Sequence, residues 1–181
     1  MTMTDDRQLI EQCLQGSRNS FEGLVKKFQD HVIALSINIL GNYDDALDIA
    51  QETFVQAYTH LDRFDPERKF KTWLLSIAAK RCLDHLKKRK SFLNYFLKQT
   101  REFQLNMNPH HTHKPIEESE IFYPLLKKMK DKERVALLLK VNENYSFKEI
   151  ADVLNCSEST ARVHLFNAKQ KLKKAFAEVS K

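Results

Sequence analysis

Residues 145–162, Tyr145-Ser146-Phe147-Lys148-Glu149-Ile150-Ala151-Asp152-Val153-Leu154-Asn155-Cys156-Ser157-Glu158-Ser159-Thr160-Ala161-Arg162, decide the fold. Ser146 with Glu149 three residues later is a capping box, in which each side chain serves the other residue's backbone N–H. It predicts a short helix through Leu154. Asn155 follows as the turn residue, because asparagine accepts the left-handed backbone better than most side chains. Ser157 then caps a second helix that runs to about Lys174. Ile150, Ala151 and Leu154 on the first helix are spaced to meet Ala161, Leu165, Ala168 and Leu172 on the second, and the small Ala151 permits close approach. These are the elements of a helix-turn-helix.

Packing in that register leaves the polar side of the second helix outward. Ser157, Ser159, Thr160, Arg162, Val163, His164, Asn167 and Lys169 are its candidate DNA-reading residues. Early positions of such a helix reach base edges in the major groove, while later lysines lie near phosphates. The plain alternative is an ordinary helix pair with a solvated polar face. Upstream the same helical rhythm holds from Glu117 through Phe122, Leu125, Leu126 and Met129, then Val135, Leu138 and Leu139.

The N-terminal part is also helical. Asn19 and Glu22 resemble a capping box that opens a helix whose Phe21, Leu24, Val25, Phe28, Val32, Leu35 and Ile39 share one face. Gly41-Asn42 ends it. Asp44 and Asp45 start a second helix, where their charge suits the positive end of the helix dipole, and it runs to about Leu61. Ala46, Ile49, Ala50, Thr53, Phe54, Ala57 and Leu61 form its core side; Asp45, Asp48, Glu52, Gln56 and Thr59 share the other. That acidic face either meets a cationic protein partner or is simply solvated.

After Asp65-Pro66 a third helix covers roughly Phe70 to Lys88, and it is strongly basic. Arg68, Lys69, Lys71, Lys80, Arg81, Lys87, Lys88, Arg89 and Lys90 crowd the segment, with Phe64, Phe70 and Trp73 interleaved and Asp84 among them. Cations beside aromatic platforms suit single-stranded nucleic acid; the alternative buries the aromatics and solvates the cations. Residues 91–116 lose the helical period and read as a linker, with a short helix around Phe92 to Phe103. The expected layout is therefore all-α: residues 1–90 and 117–181 as two small helical domains, with 91–116 between them.

Composition excludes several classes. The chain has 181 residues, a net charge of +6 and only three glycines, Gly16, Gly23 and Gly41. A glycine-rich phosphate or dinucleotide loop is therefore excluded, and tight hairpins are disfavoured. Cys13, Cys82 and Cys156 are unpaired in number and scattered, which suits small buried hydrophobes. His110, His111 and His113 cluster without the ligand set of a tetrahedral metal site, so no metal and no cofactor is expected. No apolar signal region opens the chain, and no run is long enough to span a bilayer. A cytoplasmic protein without direct membrane insertion is expected.

Three stretches together resemble the extracytoplasmic-function group of bacterial RNA polymerase sigma factors. Asp45-Ala46-Leu47-Asp48-Ile49-Ala50-Gln51-Glu52-Thr53-Phe54 is similar to the polymerase-binding helix of sigma region 2. Phe70-Lys71-Thr72-Trp73-Leu74-Leu75-Ser76-Ile77-Ala78 is similar to the signature that follows it. Tyr145 to Ala151, with Ser159 to Arg162, is similar to the region 4 helix-turn-helix.

The resemblance implies a sigma factor that binds core RNA polymerase, melts the −10 element and starts transcription, with no catalysis of its own. Asp45, Asp48, Gln51, Glu52 and Gln56 would dock on the clamp helices of the largest subunit, and region 4 on the flap of the second-largest. Phe64, Arg68, Lys69, Lys71, Trp73, Lys80, Arg81, Asp84, Lys87 and Lys88 would hold the melted non-template strand. The second helix of the helix-turn-helix would read duplex −35 DNA. An anti-sigma factor is a further implied partner, one that could hold the protein at the membrane. The competing readings are a stand-alone helix-turn-helix regulator and a metal-assisted nuclease built around the histidines.

Overall fold

The structure, a computed structural model, describes residues 6–99 and 122–179. All regular structure among them is helical. Helix α1 spans Asp6–Leu14, α2 Arg18–Leu40, α3 Tyr43–Thr59 and α4 Phe70–Gln99; α5 spans Phe122–Lys127, α6 Asp131–Glu143, α7 Phe147–Leu154 and α8 Glu158–Val179. A 3₁₀ turn, Leu61–Arg63, follows α3.

Helices α2, α3 and α4 pack on one another because each carries one apolar stripe. Leu24, Val32 and Ile39 of α2, Ala46, Ile49 and Ala57 of α3, and Phe70, Leu74 and Ala78 of α4 are buried together. Burying a Leu or Ile side chain of this kind contributes about 1.5–3 kcal/mol. Gly41 ends α2 at φ 72°, donating its N–H to the Ile37 carbonyl. Asn42 then caps α3 by accepting the Asp45 N–H at 2.9 Å.

Four boundaries differ from the sequence expectation. The polar N-terminal stretch forms α1, which buries Ile10 and Cys13. Ser17, not Asn19, stands at the start of α2, and Glu22 pairs instead with Lys26 at 2.8 Å. Helix α3 stops at Thr59, although Leu61 still reaches the core from the 3₁₀ turn. Helix α4 continues past Lys88 to Gln99, since residues 89–99 contain neither glycine nor proline to stop it. Just beyond Lys88 the apolar side chains Phe92 and Leu93 are exposed, at 72% and 46%.

Helices α6, α7 and α8 form the second module. Ser146 accepts the Glu149 N–H at 3.2 Å while its own N–H donates to Glu149 Oε2 at 2.8 Å, closing the expected capping box. Asn155 lies at φ 47° and turns the chain as expected. Ser157 Oγ accepts the Thr160 N–H at 3.2 Å and opens α8. Ile150, Ala151 and Leu154 meet Ala161, Leu165 and Ala168 in the core, with Leu172 packed at its edge. Replacing Ser146 with alanine is expected to destabilise this module by about 1 kcal/mol in urea or thermal unfolding, through loss of the cap; replacement with threonine should recover most of it.

Cys13 and Cys82 are buried and Cys156 is half-buried, all as free thiols. The core is continuous across the two modules, with Leu139 and Tyr145 in the same cluster as Leu24 and Leu74.

Candidate nucleic-acid and polymerase interfaces

The turn of α7 and α8 fixes what α8 presents. With Ala161, Leu165 and Ala168 inward, Ser159, Arg162, Val163, Phe166 and Lys169 lie on its exposed side. Arg162 is held there rather than free to wander: its guanidinium carbon lies 4.1 Å from the Phe147 ring centroid, with Glu158 at 4.0 Å. Such a stack keeps the planar donor fork at a fixed place on the surface. The hydroxyls of Ser157, Ser159 and Thr160 bond among themselves at 2.8 Å around the helix start.

His164 and Asn167 are half-buried on another flank. Burial holds the His164 imidazole below its ordinary pKa, helped by Lys132 and Lys130 and opposed by Glu133. Phe166, which sequence reasoning missed, is 60% exposed beside Val163 at 54%. Together they offer apolar contact of the sort that thymine methyl groups accept. Its signal was legible: a phenylalanine one turn beyond Arg162, on the side away from Ala161 and Leu165.

On α4 the aromatic residues divide. Phe70 is a core residue, 3% exposed, against Phe28 at 5.5 Å between ring centroids. Phe64 and Trp73, 5.3 Å apart, are half-buried, each with part of its ring packed on that core. The two readings of the aromatic cluster thus apply to different residues. Arg68 and Lys69 are exposed ahead of the helix, Lys71 is half-buried in its first turn, and Lys80, Asp84, Lys87 and Lys88 are exposed along it. Trp73, Lys80 and Asp84 line one cleft of about 770 Å³.

The acidic face of α3 and the basic face of α4 are not separate surfaces. Arg81 donates to Gln56 Oε1 at 2.7 Å and to Glu52 Oε2 at 2.9 Å. His85 and Arg89 lie 3.5 and 3.9 Å from Asp45. Asp48, Gln51 and Glu52 are exposed, whereas Asp45 and Gln56 are half-buried toward α4. Arg81, counted among the strand-binding cations, thus also bonds two polymerase-facing candidates while lining the same cleft as Trp73, Lys80 and Asp84.

Among the described residues no group of His, Cys, Asp and Glu side chains is placed to hold a metal ion. The histidines at 110, 111 and 113 lie outside the described residues. No described helix is long and apolar enough to cross a membrane.

Two adjoining modules, one with a paired acidic–basic surface and one with a helix-turn-helix, match known families in that order. Residues 24–92 match the model for sigma-70 region 2, and residues 119–172 match that for sigma-70 region 4. The chain belongs to the sigma-70 family.

Its similarity to extracytoplasmic-function sigma factors runs nearly end to end. It is 29% identical over 184 residues to the ECF RNA polymerase sigma factor SigW of Bacillus subtilis, covering 96% of this chain and 97% of that one. It is 25% identical to the ECF RNA polymerase sigma-E factor of Haemophilus influenzae, over 91% of this chain and 92% of the relative. In fold it resembles CnrH, solved in complex with the cytosolic domain of CnrY, with a TM-score of 0.64 at 24% identity over 96% and 97% of the two chains. It also resembles the sigma factor RpoE of Bartonella quintana, solved with the anti-sigma factor NepR, with a TM-score of 0.67 at 18% identity over 87% and 96%. In sigma-70 terms, α2 from residue 24, α3 and α4 to residue 92 are region 2, and the α7–α8 pair is the helix-turn-helix of region 4.

Proposed function

We propose that this sigma-70 chain acts as an initiation subunit in which each exposed face described above has one task. Asp48, Gln51 and Glu52 of α3, steadied through Arg81, meet a cationic surface of core RNA polymerase, and region 4 meets its flap. Phe64, Trp73, Arg68, Lys69, Lys71, Lys80, Asp84, Lys87 and Lys88 receive the melted non-template strand, stacking and cations together suiting unpaired bases. The exposed side of α8 reads duplex −35 DNA. Bond-making chemistry belongs to the polymerase. The working place is the cytoplasm, with an anti-sigma factor as the inhibitory partner.

The observation that carries this reading is the order of regions 2 and 4 on one chain, each with an outward cationic face. A stand-alone regulator would need only the second. Lys80→Ala and Asp84→Ala are expected to change the base preferences selected at the −10 element from a randomised promoter library transcribed by the reconstituted polymerase. Their −35 preferences should stay as in the parent. Unchanged −10 preferences in both variants would place the strand on another face.

A further inference from the structure

The place of Arg162 on the surface of α8 is set from outside that helix. Its guanidinium carbon stands 4.1 Å from the centre of the Phe147 ring of α7. Glu158 Oε2 is 4.0 Å from Nη2, beyond hydrogen-bond length. A guanidinium stacked by its face keeps its N–H groups, which lie in the plane, for other acceptors. The side chain is 60% exposed, so those donors are open to solvent.

The ring is itself anchored. Phe147 opens α7 behind the Ser146 cap and is half-buried, packed against the core. On α6, Lys140 Nζ lies 5.4 Å from the centre of the same ring and donates to the Tyr145 carbonyl at 2.8 Å. The buried Tyr145 is thus latched to α6 two residues before Phe147. Three helices contribute to one stack: α6 fixes the entry to α7, α7 supplies the ring, and α8 supplies the arginine.

We propose that Phe147, which lies outside the reading helix, is a positioning residue for −35 recognition: it holds Arg162 as a bidentate donor for one guanine of the element. The proposal rests on the assignment of α8 to the −35 duplex. Two in-plane N–H groups match the O6 and N7 acceptors that guanine shows in the major groove. A phosphate accepts the same fork. Beside Arg162, however, stand the exposed apolar side chains of Val163 and Phe166, which suit base edges and offer a phosphate nothing.

Without the ring, the arginine keeps its charge but regains rotamers that it must give up on docking. Losing that preorganisation is expected to reduce base discrimination by about threefold to tenfold, the range for immobilising one long side chain. The loss is smaller than for removing Arg162 itself, and it is confined to one base pair.

The test is −35 selection from the randomised promoter library by polymerase reconstituted with full-length variants. Phe147→Leu is expected to lower the guanine preference about threefold to tenfold at the position that Arg162→Ala erases, with the other −35 positions and the −10 element as in the parent. Phe147→Tyr, which keeps the ring, should retain that preference. In the Arg162→Ala background, Phe147→Leu should change nothing further. Thermal unfolding checks that region 4 still folds; should Phe147→Leu not fold, Phe147→Met carries the same comparison. An unchanged guanine preference in Phe147→Leu, or a further loss on top of Arg162→Ala, would overturn the positioning role. A uniform drop in yield across all −35 sequences in Arg162→Ala would move the fork to a phosphate and overturn the guanine contact. Failure of the α8 assignment shows separately, as an Arg162→Ala variant whose yield and −35 preferences match the parent's, and the proposal falls with it.

Discussion

Arg162→Ala is expected to lower initiation from −35-bearing templates by about tenfold to a hundredfold, the range for losing one side chain that reads a base edge. Two features make this residue the one with the largest expected effect on α8. Its guanidinium is already ordered by the Phe147 ring at 4.1 Å, so little freedom remains to be lost on docking. It also stands one turn into the exposed side of the helix, where base edges are within reach. Arg162→Lys separates fork geometry from charge, since lysine keeps the cation without the planar pair of donors. The lysine variant should retain general DNA affinity yet select a broader set of −35 sequences from the promoter library. If Arg162→Ala leaves yield and −35 selectivity as in the parent, the reading face of α8 lies elsewhere.

Asp48→Arg is expected to weaken association with core polymerase by about thirtyfold or more, measured by fluorescence anisotropy against core enzyme at fixed salt. Asp45 and Glu52 spend part of their charge on Arg89 and Arg81 of α4. Asp48, exposed between them, carries the outward charge that a cationic partner would meet. Reversing it replaces an attraction with a like-charge contact, and such juxtapositions cost several kcal/mol in interfaces. The fold should be unaffected, since an exposed side chain in the middle of α3 supports no packing. An unchanged dissociation constant, with normal helicity, would remove α3 from the polymerase interface.

What the sequence made legible follows the strength of local signals. The capping box at Ser146, the left-handed Asn155 and the cap at Ser157 each depend on a few neighbouring residues, and each forms as expected. The core stripe of α3 was equally clear, because Ala46, Ile49, Ala50, Thr53, Phe54 and Ala57 recur at helical spacing. Helix α1 was not legible: in a polar stretch Ile10 and Cys13 gain meaning only once α2 lies beside them. The extent of α4 was missed for a related reason. Periodicity records burial, and α4 runs on through Phe92 and Leu93, which are exposed.

The same limit applies to the functional surfaces. Residue type and order placed the cations of α4 and the acids of α3, but no local signal told that Arg81 would bond Glu52 and Gln56. Nor could Arg68 be matched with Glu149, which follows it by 81 positions. Pairings of that kind exist only after the helices pack, and they decide which charges remain for a partner.

The central claim is that the acidic surface of region 2 brings this chain to the polymerase so that its two DNA-facing modules act together on one promoter. The most direct measurement is run-off transcription by sigma-free core polymerase on a randomised promoter pool, with and without the purified chain. The account predicts that the chain restores defined transcripts, and that the selected templates share two separated elements, one of which degenerates in Arg162→Ala and the other in Lys80→Ala. A chain that binds duplex DNA tightly by itself yet yields no transcript with core polymerase on any template would contradict it.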